Sequence, residues 1–412
     1  MTGGLMQLVA TCAQDVYLTG NPQITFFKSV YRRYCPFVLE SYEMSKFENI
    51  EYGSLELGKE CCVKVVSIEG TDLLRGAWLE VDITNAGSNH VYGLGNALIK
   101  SVALEFNNQI IEEHTGGWLN IYGEMFQDNA KRRAWDTMVG NCVPGNLPKK
   151  LFVPLRFFFC TNNGTALPLC AMKQTPIKLK FHFATKDELQ LAPEAEIKIT
   201  VWGDYVYIGD EERKRFINDD KYEMLIEHLQ IQDANIATEE GNRIRLDFNN
   251  NIKCLYFNVP NQTCTSFPIH NAEKGKDTEP TFQLTMNGQD RVQEKGLDFF
   301  LRYMPYRYHV NNSRENMPID TSAGESAYKH VYDQYVYMYS FALKAGEYQP
   351  SGTANLGRID TTQIRLSNLP ALQKNNLTIY AHGYNILKIS GGYAGLLFKV
   401  EFKSERQRKL YR

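Results

Sequence analysis

LEFNNQIIEEHTGGWL (104–119) can be laid over LTMNGQDRVQEKGLDF (284–299). Each opens on an apolar strand and passes an Asn-Asn or Asn-Gly turn followed by Gln. Each then runs into a second short strand and a glycine-containing stop. Asn-Gly between alternating apolar residues is a tight-hairpin signal, so both stretches are read as β-hairpins. The correspondence continues down the chain. VPLRFFF (153–159) matches YMYSFAL (337–343) as an aromatic strand. PLCAMKQTPIKLKF (168–181) matches GTANLGRIDTTQIRL (352–366) as a small-residue turn leading into a strand. The offset holds at about 180–185 residues, a domain-sized period, and predicts a duplicated chain.

Strand signals dominate both halves. CCVKVVSIEG, AWLEVDI, IKLKFHFA and IKITVWGDYVYI come from the first, and KCLYFNV, PTFQLTM, TQIRLSNL and LTIYAHGYNILKI from the second. They are short, aromatic or β-branched, and bounded by Gly, Pro and Asn. Helical patterns are few, which excludes alternating βαβ units. The predicted fold is all-β: two tandem eight-stranded jelly-roll sandwiches, with short helices in loops and linker. Between them GDEERKRFINDDKYEMLIEHLQIQ (209–232) begins highly charged, and then Met224, Leu225, His228 and Leu229 recur at helical spacing. It reads as a solvated linker with one amphipathic turn. The predicted division is an arm at 1–35, sandwiches at 36–215 and 216–402, and a basic tail at 403–412. The connections 127–150 and 265–281 are predicted to be loops at the sandwich ends.

Bulk composition agrees. The 412 residues are 43% hydrophobic and 22% charged, ordinary for a packed protein of two or three domains. The 24 Tyr and 22 Phe suit pleated, half-buried surfaces and interfaces. A net charge of −2 recruits no nucleic acid through a global field, and no sequence-specific nucleic-acid contact is expected. No apolar run is long enough to span a bilayer, and MTGGLMQLVATCAQD does not read as a secretory signal. Nine cysteines without a CxxC read as reduced thiols in a cytoplasm-like compartment. The sequons at Asn163, Asn261, Asn311 and Asn376 are therefore read as chance matches.

The motifs of chemistry are missing. His90, His114, His182, His228, His270, His309, His330 and His382 form no HxH, HExxH or His-Cys cluster, so no metal is predicted. GLGNAL (93–98) is not GxGxxG. GGYAG (391–395) suits a turn or bulge, and no GxSxG elbow occurs. His182 stands near Asp187 and Glu188 without a nucleophile placed by any motif. The expectation is no catalysis and no cofactor, and a structural or binding role. KRR (131–133) reads as a solvated run in a loop. The tail KSERQRKLYR (403–412) reads either as a soluble terminus or as an arm for an acidic partner, lipid headgroups or nucleic acid.

Four segments carry a resemblance. GGLMQLVATCAQDVYLTGNPQITFFKSVYRRY near the amino terminus, DYVYIGDEERKRF (204–216), SFALKAGEYQPSGTANLGRID (340–360) and YNILKISGGYAGLLF (384–398) resemble, in the same order, signatures of the major capsid proteins of nucleocytoplasmic large DNA viruses. The iridovirus- and phycodnavirus-like members are meant. One departure is KCLYFNV, where that family often has a strand ending in Trp. The resemblance implies a double jelly roll whose homotrimer is a pseudo-hexagonal capsomer. Such capsomers tile an icosahedral shell around an internal membrane and a DNA genome, assembled in host cytoplasm. It also implies minor capsid and penton proteins as partners, and an inner membrane surface facing the arm and the basic tail. A minor capsid protein, a carbohydrate- or receptor-binding jelly roll, and a cupin-like enzyme are the alternatives.

The resemblance gives QDVYLTGNPQITFFKSVYRRY (14–34) a role as an assembly arm. Asn21 reads as a helix N-cap with Pro22 in the first turn. Ile24, Phe27, Val30 and Tyr31 then share a face, with Lys28, Arg32 and Arg33 elsewhere. So short a segment needs a surface to dock on: its own sandwich, whose core Phe26, Phe27 and Tyr31 would cap, a neighbour, or a minor protein. Phe26, Phe27, Tyr31 and Arg32 are the candidate arm contacts, and Tyr348, Gln349 and Pro350 those of the second signature.

Overall fold

A computed structural model describes residues 3–10, 13–29, 31, 33–44, 50–53, 55–65, 71–87, 90–142, 147–218, 222–235, 242–260, 266–267, 280–310, 335–367 and 376–398. Strands account for most of it, and their side chains alternate. Ile177–Phe183 buries every second residue, as expected where one sheet face meets a core and the other looks outward. In the first half the strands are β1 (Phe37–Glu43), β2 (Ile50–Gly53), β3 (Glu60–Val65), β4 (Leu73–Thr84) and β5 (Ile99–Phe106). They continue with β6 (Gln109–Thr115), β7 (Lys150–Pro154), β8 (Ile177–Phe183) and β9 (Glu196–Ile208). The second half holds β10 (Tyr222–Asn235), β11 (Asn242–Leu246), β12 (Asn251–Pro260), β13 (Ser266–Phe267), β14 (Thr281–Met286) and β15 (Gln289–Gly296). It ends with β16 (Tyr337–Ser340), β17 (Ala354–Asn355), β18 (Thr362–Ser367), β19 (Asn376–Ser390) and β20 (Tyr393–Leu396).

The sheet orders identify the fold. The first half pairs β1-β9-β4-β7 in one sheet and β3-β8-β5-β6 in the other, with β2 added beside β3. The second half pairs β10-β19-β12-β16 and β11-β18-β14-β15, with β13, β17 and β20 as short additions. Counting the eight principal strands of each half, both show the order first-eighth-third-sixth and second-seventh-fourth-fifth. That is the jelly-roll wrapping, and it occurs twice. The two hairpins that open the sequence argument are β5–β6 and β14–β15. Their turns need left-handed backbone at both central positions. Asn107 and Asn108 supply it at φ 51° and 62°, Asn287 and Gly288 at 47° and 76°.

The cores are interlocked. The first contains inward side chains of β3–β9, yet also Met224 and Ile226 of β10 and Leu387 and Ile389 of β19. The second contains residues of β10–β19, yet also Trp118, Ile121 and Met125. Those three lie on the helix Gly116–Met125, which follows β6 and is N-capped by the Thr115 hydroxyl. Trp118 is 2% exposed, with Tyr256 and Tyr380 of the second sandwich at ring-centroid distances of 5.7 and 5.6 Å.

Several expectations change. The Met224–Leu229 stretch is strand β10, paired with β19 along its whole length, not a helical turn of a linker. Its i, i+4 apolar spacing arises because the strand passes from one core to the other: Met224 and Ile226 enter the first, Leu229 on the opposite face enters the second, and Leu225 stays exposed. The charged part of the linker is a helix, Asp210–Asn218. The connection 127–150 is a loop only in part. Asp128 caps a helix, Asn129–Val139, which stops at Gly140 with φ 76°. KRR lies on that helix, and Arg132 pairs with the buried Glu124 instead of being solvated. VPLRFFF is a strand only as far as Pro154; Phe158–Thr161 is helical. Most of 265–281 and all of the tail 403–412 lie outside the described residues, as do Asn261 and Asn311.

Met1–Pro36 is a unit separate from Phe37–Arg412. Its described residues hold the helices Gly3–Val9 and Val16–Thr19. The helix expected to start at Asn21 does not form. Gly20 closes the turn by donating to the Val16 carbonyl at 2.9 Å, and Asn21 follows at φ 49°. Left-handed Asn is a helix-ending conformation, whereas an N-cap needs extended backbone.

Trp118→Ala should destabilise the protein by about 3–5 kcal/mol, the range for emptying a buried aromatic site. Urea unfolding followed by fluorescence and circular dichroism measures it. A loss under about 1 kcal/mol would mean that the helix does not join the two cores.

Candidate assembly interface

Three polar clasps tie the sandwiches and the linker, and so fix which surfaces remain for partners. At the first, Asp72 is buried and accepts from Arg213 Nε at 2.6 Å, from Arg213 Nη2 at 3.0 Å and from the Ile208 amide at 3.0 Å. A bidentate pair of this kind anchors the linker helix to the first sandwich. At the second, the β19–β20 turn, with Gly391 and Gly392 at φ 59° and 87°, reaches the loop before β8. The Gly392 carbonyl accepts from the Gln174 amide and from the Thr175 hydroxyl, each at 3.1 Å. The Ala394 amide donates to the same hydroxyl at 2.9 Å. A side chain at Gly392 would stand 2.7 Å from Gln174 Cγ.

The third clasp is the seam beside Trp118. His228 Nε2 lies 3.0 Å from the Ile111 carbonyl, and the Leu229 amide donates to Glu112 at 3.0 Å. Lys253 is fully buried and contacts the Glu227 carboxylate. Burial raises the Glu227 carboxyl, and Lys253 acts against that rise.

The remaining chemistry is quiet. The described cysteines are free. Burial pushes the Cys160 and Cys254 thiols up to about 12, and raises those of Cys61, Cys142 and Cys170. Protonated thiols are poor nucleophiles. Beside His182, Glu188 accepts from Lys100 at 2.8 Å and from the Thr185 amide at 2.8 Å. These bonds hold its carboxyl at about 2 and give it a local structural role. Among the described residues, no group of three or more His, Cys, Asp or Glu could hold a metal ion, and no helix is long and apolar enough to cross a membrane.

The second signature forms a folded loop. The Ser340 hydroxyl donates to the Ala342 carbonyl at 2.7 Å, and the Lys344 amide donates to Ser351 Oγ at 3.0 Å. Tyr348 points inward: its hydroxyl donates to the Leu225 carbonyl of β10, and its own carbonyl accepts from the Tyr384 hydroxyl at 3.2 Å. Gln349 and Pro350 are exposed at the loop's tip.

Two family models match end to end. One, for the major capsid protein N-terminus, covers residues 25–209. The other, for the large eukaryotic DNA virus major capsid protein, covers 212–395. The major capsid protein of Pyramimonas orientalis virus is 33% identical, with 97% of this chain and the full length of the relative aligned. That of Paramecium bursaria Chlorella virus 1 is also 33% identical, over 97% of this chain and all of its own. The chain belongs to the major capsid protein family of large eukaryotic DNA viruses. Among solved structures, PBCV-1 VP54 superposes with a TM-score of 0.74 at 27% identity, covering 91% of this chain and all of VP54. The double jelly roll read from the sheet orders is therefore this family's fold, and the two models meet at the linker helix.

Within this capsid protein the predicted arm residues Phe26, Phe27 and Tyr31 are 86%, 99% and 79% exposed, and Arg32 lies outside the described residues. Tyr348 is placed apart from Gln349 and Pro350, which alone face outward. Sequence reasoning missed β1. Among the described residues it pairs only with β9, and Phe37, Val38 and Leu39 at its start are all exposed, so both faces are open there. The signal was present in FVLESYE, an apolar start just after a proline. The seam was missed as well, because its members are scattered from Glu112 to Tyr384.

Tyr348→Phe should cost about 1 kcal/mol by removing one hydrogen bond to a backbone carbonyl. A shift in the urea midpoint at unchanged m-value reports it; no shift would mean that the hydroxyl is not an anchor.

Proposed function

We propose that the chain is a shell-building subunit of the virion: three copies form a pseudo-hexagonal capsomer, and capsomers tile an icosahedral shell around an internal membrane and DNA genome. The observation that carries this reading is the repeated strand order. A chain with two sandwiches of one topology lets a three-fold assembly present six similar edges. The work is mechanical. Stability of the shell comes from many modest contacts, and each trimer interface buries more than the standard ~1,600 Å². No catalytic role and no cofactor is assigned, in keeping with relatives named as major capsid proteins.

The working parts are the arm 1–35, the sandwiches 36–215 and 216–402, and the tail 403–412, with the boundary inside the helix Asp210–Asn218. The arm, through Phe26, Phe27, Tyr31 and Arg32, docks on the shell's inner side against minor capsid proteins or the membrane surface. The tail adds positive charge there, and penton proteins close the vertices. The exposed aromatics support this use of the arm, because large apolar side chains open to water mark interaction sites. Gln349 and Pro350 contact neighbouring copies from the loop that Tyr348 anchors.

Light scattering of purified protein should give a trimer at micromolar concentration; only monomer would overturn the capsomer. Deleting residues 1–35 should leave the sandwiches folded by circular dichroism but lower particle yield in an assembly assay. Undiminished yield would remove the docking role.

A further inference from the structure

We propose that the seam between the two sandwiches is an acid-released latch, in which His228, His309 and His382 join the sandwiches as neutral rings and part them when protonated. The geometry fixes the His309 ring as neutral and sets it against Phe126 at the seam, ring centroids 4.6 Å apart. His309 Nδ1 accepts from the Val310 amide at 2.9 Å, so it carries no proton, while its Nε2 lies 3.0 Å from the Tyr256 hydroxyl. His228 directs Nε2 at the Ile111 carbonyl across the seam. His382 is buried with Nε2 3.7 Å from Glu227 and its Nδ1 unpartnered. The rings of Trp118 and Phe126, on the first sandwich's side, lie 5.4 and 5.6 Å from it.

The groups around the three rings come from every element of the seam. Glu112 and His114 lie on β6, with His114 Nε2 3.1 Å from Glu112. Tyr122 lies on the Trp118 helix, and Arg156 follows β7 with its guanidinium over the Tyr122 ring. Glu227 comes from β10, Lys253, Cys254 and Tyr256 from β12, Tyr348 from the signature loop, and Tyr380 and Tyr384 from β19. Lys253 already places a positive charge among them, paired with Glu227 and 5.4 Å from the Tyr384 ring. The cavity bordered by Glu112, His114, Arg156, Glu227 and His382 has a volume of about 10 Å³, too little to hydrate a further cation.

Burial, with the Lys253 charge second, holds His382 well below the ordinary histidine value and His309 at about 3. Burial likewise lowers His228. A histidine lowered in the closed state contributes its stability above about pH 6.5, and loses it as pH falls below that value. Each such ring takes up one proton on opening, which multiplies the opening constant by about ten per pH unit. Glu227, raised by burial, acts in the opposite sense by binding at most one proton in the closed form. Three rings outweigh one carboxyl, so acid opens the seam.

Hydrogen exchange on the full-length protein tests this at about pH 7.5 and about pH 5, with intrinsic rates corrected for pH. Residues 111–126 and 376–385 should lose protection at least roughly tenfold more than the core strands 177–183 and 362–367. Uniform protection changes would overturn the proposal. The H309Q/H382Q variant keeps polar rings' partners in reach but cannot take up the protons, so its seam should lose about tenfold or more of that pH response. A response equal to wild type overturns the proposal, and if the variant does not fold, the wild-type exchange pattern decides alone.

Discussion

The helix Gly116–Met125 is the constraint on which the rest of the structure depends. It belongs to the first sandwich by sequence and to the second by packing: Trp118, Ile121 and Met125 complete a core otherwise built from β10–β19. The exchange is reciprocal, because the ends of β10 and β19 complete the first core with Met224, Ile226, Leu387 and Ile389. Neither sandwich closes its apolar surface without the other. Interfaces between domains of one chain are more often polar and mobile, and those that are large and apolar hold the domains as one body. A subunit that must present six similar edges needs such a body, since any hinge between the sandwiches would blur the angle between adjacent edges.

The sequence disclosed the fold through its turns. Asn107-Asn108 and Asn287-Gly288 occupy left-handed backbone that few other residues tolerate, so the hairpins were legible from four residues and their spacing fixed the duplication. β10 was illegible for a related reason. A strand that changes its buried face part-way loses its period of two, and Met224, Leu225, His228 and Leu229 then imitate helical spacing. The helix Asn129–Val139 was concealed by its polarity, since only a few of its side chains, Trp135 and Val139 among them, enter a core. The short arm helix was misplaced because an Asn-Pro pair suits an N-cap, while Asn21 in fact ends the preceding turn.

The candidate contacts divide along the same line. Phe26, Phe27 and Tyr31 stood out because aromatics are costly to leave in water, and they are exposed. Tyr348 stood out equally, yet its hydroxyl is committed to β10 and its carbonyl to β19. A signature motif thus mixes a residue that shapes a loop with residues that the loop presents. Composition does not separate these roles; only the hydrogen-bond partners do. The seam was beyond reach from sequence, because no local pattern joins Glu112, Glu227, Lys253 and His382.

Duplication also explains why the seam is polar. In the second copy the hairpin is again followed by helix, the π-helical turn Phe299–Tyr303 and Met304–Tyr308, but Phe300, Leu301 and Met304 pack into their own sandwich's core. The same element closes one sandwich and couples the other. Two copies of one apolar joint could pair in more than one way, each helix serving either sandwich. The bonds that cross the boundary, His228 to the Ile111 carbonyl and the Leu229 amide to the buried Glu112, are satisfied in one arrangement only. The polar seam is therefore what makes the joint specific. Its dependence on uncharged rings is the same property that leaves it open to acid.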